Sequence, residues 1–297
     1  MSANAAAMNS TNVRKAIGLA WHRLRFAVTG ALAPGRAVAA AMRLFSTPPR
    51  FAQPAREREM LATARRFEID SAVGRLAAWR YGEDARPAIV LSHGWGGRGA
   101  QLAAFAPELV RAGYQVVTFD HPAHGASDGR EASLVHFMRG LDAVVRHVES
   151  GGAGVAGIVG HSLGAAAAGA WLNENGRAIR VVLVAPPTSV ARWSGFFARR
   201  LGIGEPVRRA MQERFERRYG YRWDAFELPQ SVANVKGAAL VIHDEEDRDV
   251  SFASGVALAR AWPGARLVAT RGLGHNRILR MPQVIAEAVA FFDGSSP

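Results

Sequence analysis

The sequence contains no cysteine, and this absence removes several kinds of chemistry at once. Disulfide bonds, thiolate zinc sites, iron–sulfur clusters and cysteine nucleophiles are all excluded. Long apolar runs are also missing, because stretches such as 16–21 and 163–172 fall far short of the roughly 20 residues that a spanning helix needs. Arg23 and Arg25 interrupt the N-terminal apolar stretch, which is not typical of a signal peptide. We therefore expect a cytoplasmic protein.

Lysine is scarce as well, so arginine carries nearly all of the positive charge. The formal net charge of +12 comes from two segments, with +7 in residues 1–60 and +5 in residues 187–236. The rest of the 297-residue chain is neutral. Basic chains often bind nucleic acid, but a charge confined to two segments argues against a nucleic-acid surface that extends over the whole domain. It indicates two special segments attached to an ordinary globular core.

The N-terminal segment has the pattern of an amphipathic helix over residues 13–33. Its apolar side chains recur at spacings of four, three, four and four residues: Ile17, Trp21, Leu24, Val28 and Leu32. Pro34-Gly35 should end this helix, and Val38, Met42 and Phe45 indicate a second one. We predict that residues 1–65 form a helical arm whose apolar stripe packs on the main domain. A helix lying on a membrane surface is the alternative, which we favour less.

From about residue 66 the pattern becomes that of an α/β domain, with short apolar runs alternating with helical stretches. Continuous apolar runs such as AIVLS, YQVVTF and VAGIVG are typical of parallel strands covered by helices on both faces. The predicted strands are 66–70, 75–81, 88–92, 115–120, 155–160, 179–184, 238–243 and 266–270. The predicted helices are 100–112, 132–149, 163–175, 251–262 and 277–292. The first two strands lack an intervening helix, so they should be antiparallel within a mostly parallel, doubly wound sheet of about eight strands.

Residues 187–236 interrupt this alternation with a segment rich in aromatic residues and arginine. An unstructured loop of that length is uncommon in a compact domain. We predict that the segment is a helical lid inserted into a domain spanning residues 66–297. An insertion without a role in binding is the alternative.

One pentapeptide carries the strongest chemical signal. Gly160-His161-Ser162-Leu163-Gly164 lies where the strand 155–160 gives way to a helix starting near residue 163. A G-x-S-x-G turn in this setting holds its serine in an exposed elbow, where Gly160 and Gly164 leave room that larger side chains would fill. The helix N-terminus adds free N–H groups near the reacting carbon. We predict that Ser162 is a nucleophile.

A serine hydroxyl is a poor nucleophile and needs a base that is itself held by an acid. His275 follows the strand 266–270 in a glycine-flanked loop, and we predict that it is the base. The acid should come from the loop after the strand 238–243, where several carboxylates crowd together. A calcium loop there is the rival interpretation, but the EF-hand spacing and its glycine are absent.

Acyl transfer also needs two backbone N–H groups that face the developing oxyanion. Leu163, the residue after the serine, should supply one of them. The loop after the strand 88–92 reads Ser92-His93-Gly94-Trp95-Gly96-Gly97, and its glycines let the backbone approach a substrate closely. We predict that the N–H of Trp95 is the second donor.

Together, these motifs resemble the α/β-hydrolase superfamily over roughly residues 66–293. The resemblance rests on HGWGG at 93–97, FDHPAHGASDG at 119–129, GHSLG at 160–164, HDEEDRDV at 243–250 and GLGH at 272–275. It looks closest to lid-bearing, esterase-like members, and it implies that Asp247, the aspartate of an H-[GD]-x-x-D-x-x-V pattern, orients the base. Asp244 stands where that pattern usually has glycine, and Ala123 replaces glycine in the D-x-P-G-H-G-x-S stretch.

The combined set predicts a serine hydrolase that cleaves carboxylic esters through an acyl-enzyme and needs no cofactor. Six histidines lie in or beside the motifs, but no HxH or HExxH ligand spacing occurs, so we expect no metal site. Thioesterases and acyltransferases use the same residues, so a thioester substrate is an open alternative. A non-catalytic binding protein on the same scaffold is the alternative from another class, and the complete Ser, Asp and His set argues against it.

Overall fold

The computed structural model describes residues 2–294, with side chains from residue 17 onward. Its contacts divide this part of the chain into two compact units. The smaller unit comprises the chain up to Ser46 together with Ser189–Ala225, and the larger comprises Thr47–Thr188 together with the chain from Phe226 onward. The N-terminal helices therefore share a unit with most of the predicted lid segment.

The larger unit contains an eight-stranded sheet. Its strands are β1 (Arg65–Ile69), β2 (Leu76–Tyr81), β3 (Ala88–Ser92), β4 (Gln115–Phe119), β5 (Val155–His161), β6 (Arg180–Val184), β7 (Ala239–Asp244) and β8 (Arg266–Thr270). They lie in the order β1-β2-β4-β3-β5-β6-β7-β8, where β2 is antiparallel to β1 and to β4 and every other pair is parallel. The predicted mostly parallel, doubly wound sheet is confirmed.

The parallel part of the sheet aligns the carboxyl ends of its strands at one edge. Ser92 pairs with Gly160 and Asp244 pairs with Thr270, so β3 ends beside β5 and β7 ends beside β8. Strands β3, β4 and β7 are buried along their full length, as their continuous apolar sequences predict. Since ligand sites of such sheets form at the carboxyl edge, the loops after these strands are the expected location of a functional site.

The described chain also contains twelve α-helices. They are α1 (Ser2–Leu32), α2 (Pro34–Ser46), α3 (Ala55–Ala62), α4 (Ala106–Arg111), α5 (Leu134–Ser150), α6 (Leu163–Asn175), α7 (Val190–Leu201), α8 (Glu205–Tyr219), α9 (Leu228–Ser231), α10 (Phe252–Ala261), α11 (Gly274–Arg277) and α12 (Pro282–Asp293). The predicted helix at 277–292 is divided, because Pro282 has no N–H to continue a helix from the preceding turn. The predicted helix at 100–112 begins instead as a 3₁₀ segment, Gly99–Phe105.

The smaller unit consists of α1, α2, α7 and α8 with the turn that follows α8. Phe45 of α2 stacks on Trp223 and meets the ring of Phe197 edge-on, with ring centroids 6.0 and 5.2 Å apart. Gly30 of α1 lies close to Val207 of α8, where an added Cβ would be 3.7 Å from a Val207 methyl group. The arm and the inserted helices thus bury their apolar side chains against each other.

The predicted packing of the apolar stripe of α1 is wrong. All five of its side chains are exposed, from 47% for Val28 to 81% for Leu32, while Phe26 on another face is buried. The side of α1 that carries Phe26 and Gly30 is turned toward the inserted helices. A helical period shows that an apolar face exists, but it does not identify what covers that face.

Candidate active site

Ser162 occupies a strained turn between β5 and α6. Its backbone dihedral angles, φ 51° and ψ −123°, define a conformation that costs a non-glycine residue on the order of 1–3 kcal/mol. The Ser162 N–H donates to the carbonyl of Val184 at 2.9 Å and helps to hold the turn. A Cβ at Gly160 would lie 2.6 Å from the Cα of Ala165, and one at Gly164 would lie 2.3 Å from the Ser92 carbonyl oxygen. Both glycines are therefore required by close backbone packing.

The loop after β3 lies directly against this serine. A Cβ at Gly94 would be 2.8 Å from the Cβ of Ser162. Within the loop, the Gly97 N–H donates to the Gly94 carbonyl at 3.1 Å and the Gly96 N–H donates to Nε2 of His124 at 3.0 Å. Among residues 2–294, no hydrogen bond uses the N–H of Trp95. That donor remains available at the site.

Leu163 begins α6 immediately after the serine. The first N–H groups of a helix have no partner within the helix, so the Leu163 N–H is also available. Leu163, Ser162 and Trp95 are all half-buried, which leaves the turn and the loop open to a small molecule. The structure therefore brings the predicted nucleophile and a predicted donor loop together.

His275 and Asp247 form the second part of the site. His275 Nδ1 lies 2.7 Å from Oδ2 of Asp247, whose side chain is fully buried. The other carboxylate oxygen accepts the N–H groups of Asp249 at 2.8 Å and Val250 at 2.9 Å. Burial alone would raise the pKa of Asp247, but hydrogen bonds from His243, His275 and the Val250 N–H outweigh it and hold this pKa well below its usual range.

An ionised Asp247 has a direct consequence for the imidazole. A carboxylate accepts only, so Nδ1 of His275 must carry the proton that lies between them. In neutral imidazole the other nitrogen, Nε2, is then an acceptor. The pair therefore holds His275 in the tautomer of a general base.

Asp244 has a different role from Asp247, and nothing in the sequence indicated the role of Asp244. Its buried carboxylate accepts the Thr270 hydroxyl at 2.8 Å and the Leu273 N–H at 2.9 Å. Burial would raise its pKa, but the N–H groups of Gly274 and Leu273 lead a set of hydrogen bonds that lower it. Asp244 thus fastens the end of β7 to the loop that carries His275, through contacts that a glycine at this position could not make.

The remaining carboxylates of this loop face outward. Glu246 pairs with Arg271 at 3.1 Å, and Asp249 is exposed. In the described part of the chain, ligand atoms of Asp247, Asp249 and His275 lie within 4.8 Å of one another. However, the His275–Asp247 hydrogen bond already uses a nitrogen and an oxygen that a cation would need. We therefore assign no metal to this group.

Two further histidines contact His275 and Asp247. His161 Nε2 donates to the carbonyl of His275 at 2.9 Å, and their ring centroids are 4.7 Å apart. Burial, followed by the nearby His275, lowers the pKa of His161 to about 3, so its ring is neutral. His243 Nε2 lies 3.0 Å from the Val250 carbonyl oxygen and 3.4 Å from Oδ2 of Asp247. Each histidine fixes the backbone or side chain of a neighbouring site residue.

A cluster of buried histidines lies behind the loop after β3. His93 Nε2 accepts the His121 N–H at 2.9 Å, and His124 Nε2 accepts the Gly96 N–H at 3.0 Å. The His121 ring stacks on Phe137 with centroids 3.8 Å apart. Burial lowers the pKa of all three, to about 4 for His124. These rings hold the loop only while they are neutral, because a protonated ring nitrogen cannot accept an N–H.

We predict that acid weakens the fold through this cluster. The unfolded chain takes up protons near the ordinary histidine pKa of about 6.5, whereas folded His124 resists protonation down to about pH 4. Stability is therefore complete above about pH 6.5 and falls between there and pH 4, by more than about 1 kcal/mol per pH unit for each such histidine. Urea unfolding of His124→Gln, which keeps an acceptor but cannot titrate, should show a shallower fall than wild type. Parallel curves for the two proteins would contradict the cluster's role.

Known proteins resemble this chain in part of its sequence and in its fold. The family model of serine aminopeptidase S33 matches residues 83–219. No curated protein sequence shows significant similarity to the chain. The esterase Pf2001 from Pyrococcus furiosus superposes with a TM-score of 0.64 and 20% identity, over 84% of this chain and 98% of that one.

Two other solved structures show the same fold. A bacterial membrane phospholipase A superposes with a TM-score of 0.61 and 16% identity, over 95% of this chain and 98% of that one. Est1E from Butyrivibrio proteoclasticus, determined with ferulic acid bound, gives a TM-score of 0.59 and 17% identity, over 77% and 97%. The sheet order and the turn after β5 are thus those of the α/β-hydrolase fold. The chain therefore has the α/β-hydrolase fold, and residues 83–219 match a family of α/β-hydrolases.

Proposed function

We propose that this protein is a serine hydrolase that cleaves carboxylic esters through an acyl-enzyme intermediate. The observation that carries the proposal is the pairing of His275 with a buried, ionised Asp247 at the same sheet edge where Ser162 sits in a strained turn. Ser162 Oγ attacks the ester carbonyl while Nε2 of His275 takes its proton. Asp247 stabilises the imidazolium that forms.

The oxyanion of the tetrahedral intermediate needs donors that are already in place. We assign this role to the N–H of Leu163, which begins α6, and to the N–H of Trp95, since neither donates to a backbone carbonyl among residues 2–294. His275 then returns its proton to the leaving alkoxide, and the acyl group remains on Ser162. In the second half-reaction, water attacks the acyl carbonyl, His275 accepts its proton, and the acid leaves as Ser162 recovers its hydrogen.

The esterase Pf2001, which has the same fold, supports an ester substrate. A non-catalytic binding protein has less support. Such a protein has no need for a serine held in a strained backbone conformation, which costs stability, or for an ionised carboxylate hydrogen-bonded to a histidine beside it.

The experiment that tests the proposal has two parts. The purified protein should react with a fluorophosphonate probe, and mass spectrometry should place the adduct on Ser162. It should also release p-nitrophenol from esters of short and medium acyl chains. A folded protein that neither reacts with the probe nor hydrolyses any ester of the panel would favour the binding-protein alternative.

We expect neutral esters to be better substrates than acyl-CoA thioesters. The inserted segment carries many arginines, but several are already paired with acidic residues nearby in the sequence, which reduces the field available to an anionic substrate. The pairs are Arg208 and Arg209 with Glu205, Arg217 with Glu213 and Arg222 with Asp224. The measurement is kcat/KM for p-nitrophenyl esters and acyl-CoA thioesters of matched chain length. A preference for the thioester of more than about tenfold, roughly 1.4 kcal/mol, would overturn the ester assignment.

A further inference from the structure

One face of α1 exposes a continuous line of large apolar side chains. Its five members are exposed at 64% (Ile17), 64% (Trp21), 58% (Leu24), 47% (Val28) and 81% (Leu32). At 1.5 Å per residue the line extends for about 22 Å. Single exposed apolar side chains are common on proteins, but a contiguous row of this length marks an interaction surface.

The exposure does not arise from a helix that has failed to pack. Another face of α1 is fastened to the inserted helices, because Phe26 is buried and Gly30 lies against Val207. Arg23 Nε also donates to the carbonyl of Arg200 at 3.2 Å, and its stem lies over Gly202. The helix is therefore held in place by one face while it presents the other to the surroundings.

The charge around this surface restricts what can cover it. Residues 1–56 contain eight arginines and lysines and no aspartate or glutamate. Arg36 and Arg43 of the adjoining α2 are exposed. The partner must therefore offer both apolar material and negative charge. An anionic phospholipid surface has this combination, and amphipathic helices with tryptophan and basic residues bind it in the plane of the headgroups.

A second copy of the chain fits the surface less well. Spacings of four and three residues are also typical of a coiled-coil seam. However, two copies of α1 would bring basic residues together without any acidic residue in the segment to pair with them. Like charges placed side by side oppose association.

We propose that α1 docks the protein on anionic phospholipid membranes, with Ile17, Trp21, Leu24, Val28 and Leu32 inserted at the level of the upper acyl chains. Across residues 2–294, no helix is long and apolar enough to cross a bilayer, so the contact is with the surface. Trp21 then occupies the interface that tryptophan prefers, and the arginines approach the lipid phosphates.

The test is flotation of the full chain with vesicles of phosphatidylcholine containing about one quarter phosphatidylglycerol, compared with vesicles of phosphatidylcholine alone. We expect binding to the anionic vesicles, little binding to the neutral ones, and a loss of binding as salt is raised to about 0.5 M. Trp21→Ala/Leu24→Ala should weaken binding at least tenfold, because two large side chains no longer leave water. Arg36→Gln/Arg43→Gln should weaken binding to anionic vesicles as well.

The matched control is Phe51→Ala, which removes an apolar side chain that is 67% exposed in the larger unit. It should leave vesicle binding unchanged. All substituted side chains are exposed, so circular dichroism should show wild-type helix content. The proposal is overturned if anionic vesicles bind no protein or if Trp21→Ala/Leu24→Ala binds like wild type. Light scattering that shows a dimer dispersed by this variant, without vesicle binding, would replace the membrane with a second copy.

Discussion

Substitution of Ser162 with alanine should abolish fluorophosphonate labelling and lower kcat on p-nitrophenyl esters by about 10⁵-fold or more. The reason is that only the Ser162 hydroxyl is proposed to form the covalent bond. The residual activity of the variant would come only from substrate binding and from stabilisation of the oxyanion by the N–H donors. Labelling with an alkyne-tagged probe, detected after gel electrophoresis, measures the first effect, and a continuous p-nitrophenol assay measures the second.

The same position offers a control for the strained turn. Alanine at φ 51° keeps the unfavourable backbone conformation, so Ser162→Ala should melt close to wild type. Ser162→Gly should be equally inactive but more stable by about 1 kcal/mol, because glycine adopts positive φ without steric strain. Stoichiometric labelling of Ser162→Ala would place the nucleophile elsewhere. An unchanged melting temperature for Ser162→Gly would mean that the turn stores little strain.

The sheet and the elbow were predictable because their signals are local. Strands β3, β4 and β7 are short apolar runs that only helices on both faces can bury, and the observed sheet follows. Gly160 and Gly164 are needed for contacts made within a few residues of Ser162 or with the adjacent strand end. The pentapeptide between a strand and a helix therefore carried most of the information about that turn.

The contacts of Asp244 could not be predicted in the same way. Its partners, Thr270 and Leu273, are 26 and 29 residues further along the chain, and no local pattern reports a hydrogen bond over that distance. The prediction of which face of α1 packs failed for a related reason. The apolar period predicted the helix and its stripe, while the face that packs includes Phe26 and a glycine, Gly30. Periodicity weighs large apolar residues and overlooks a glycine that lets two helices approach.

The proposed role of Asp247 as the acid rests on the different partners of two aspartates in one loop. Asp247 contacts His275 Nδ1, whereas Asp244 contacts the hydroxyl of Thr270 and backbone N–H groups. Asp247→Asn should lower kcat by about 10⁴-fold, because an amide can donate to Nδ1 and hold the wrong imidazole tautomer. His275→Ala should lower kcat by about 10⁵-fold or more, since the base itself is gone. Steady-state kinetics on a p-nitrophenyl ester above pH 7 measures kcat for both variants.

Asp244→Asn is the matched control, because it removes the same charge from the same loop. Asparagine still offers one carbonyl oxygen to the Leu273 N–H or the Thr270 hydroxyl, so the loop carrying His275 should remain in place with weaker support. We expect a loss of roughly 1–3 kcal/mol in the free energy of unfolding, as for other buried charged hydrogen bonds, and less than a tenfold loss in kcat. The two variants thus separate chemistry from positioning. If Asp244→Asn were the more damaging change to kcat, or if Asp247→Asn stayed within a few-fold of wild type, the acid would have to be reassigned within this loop.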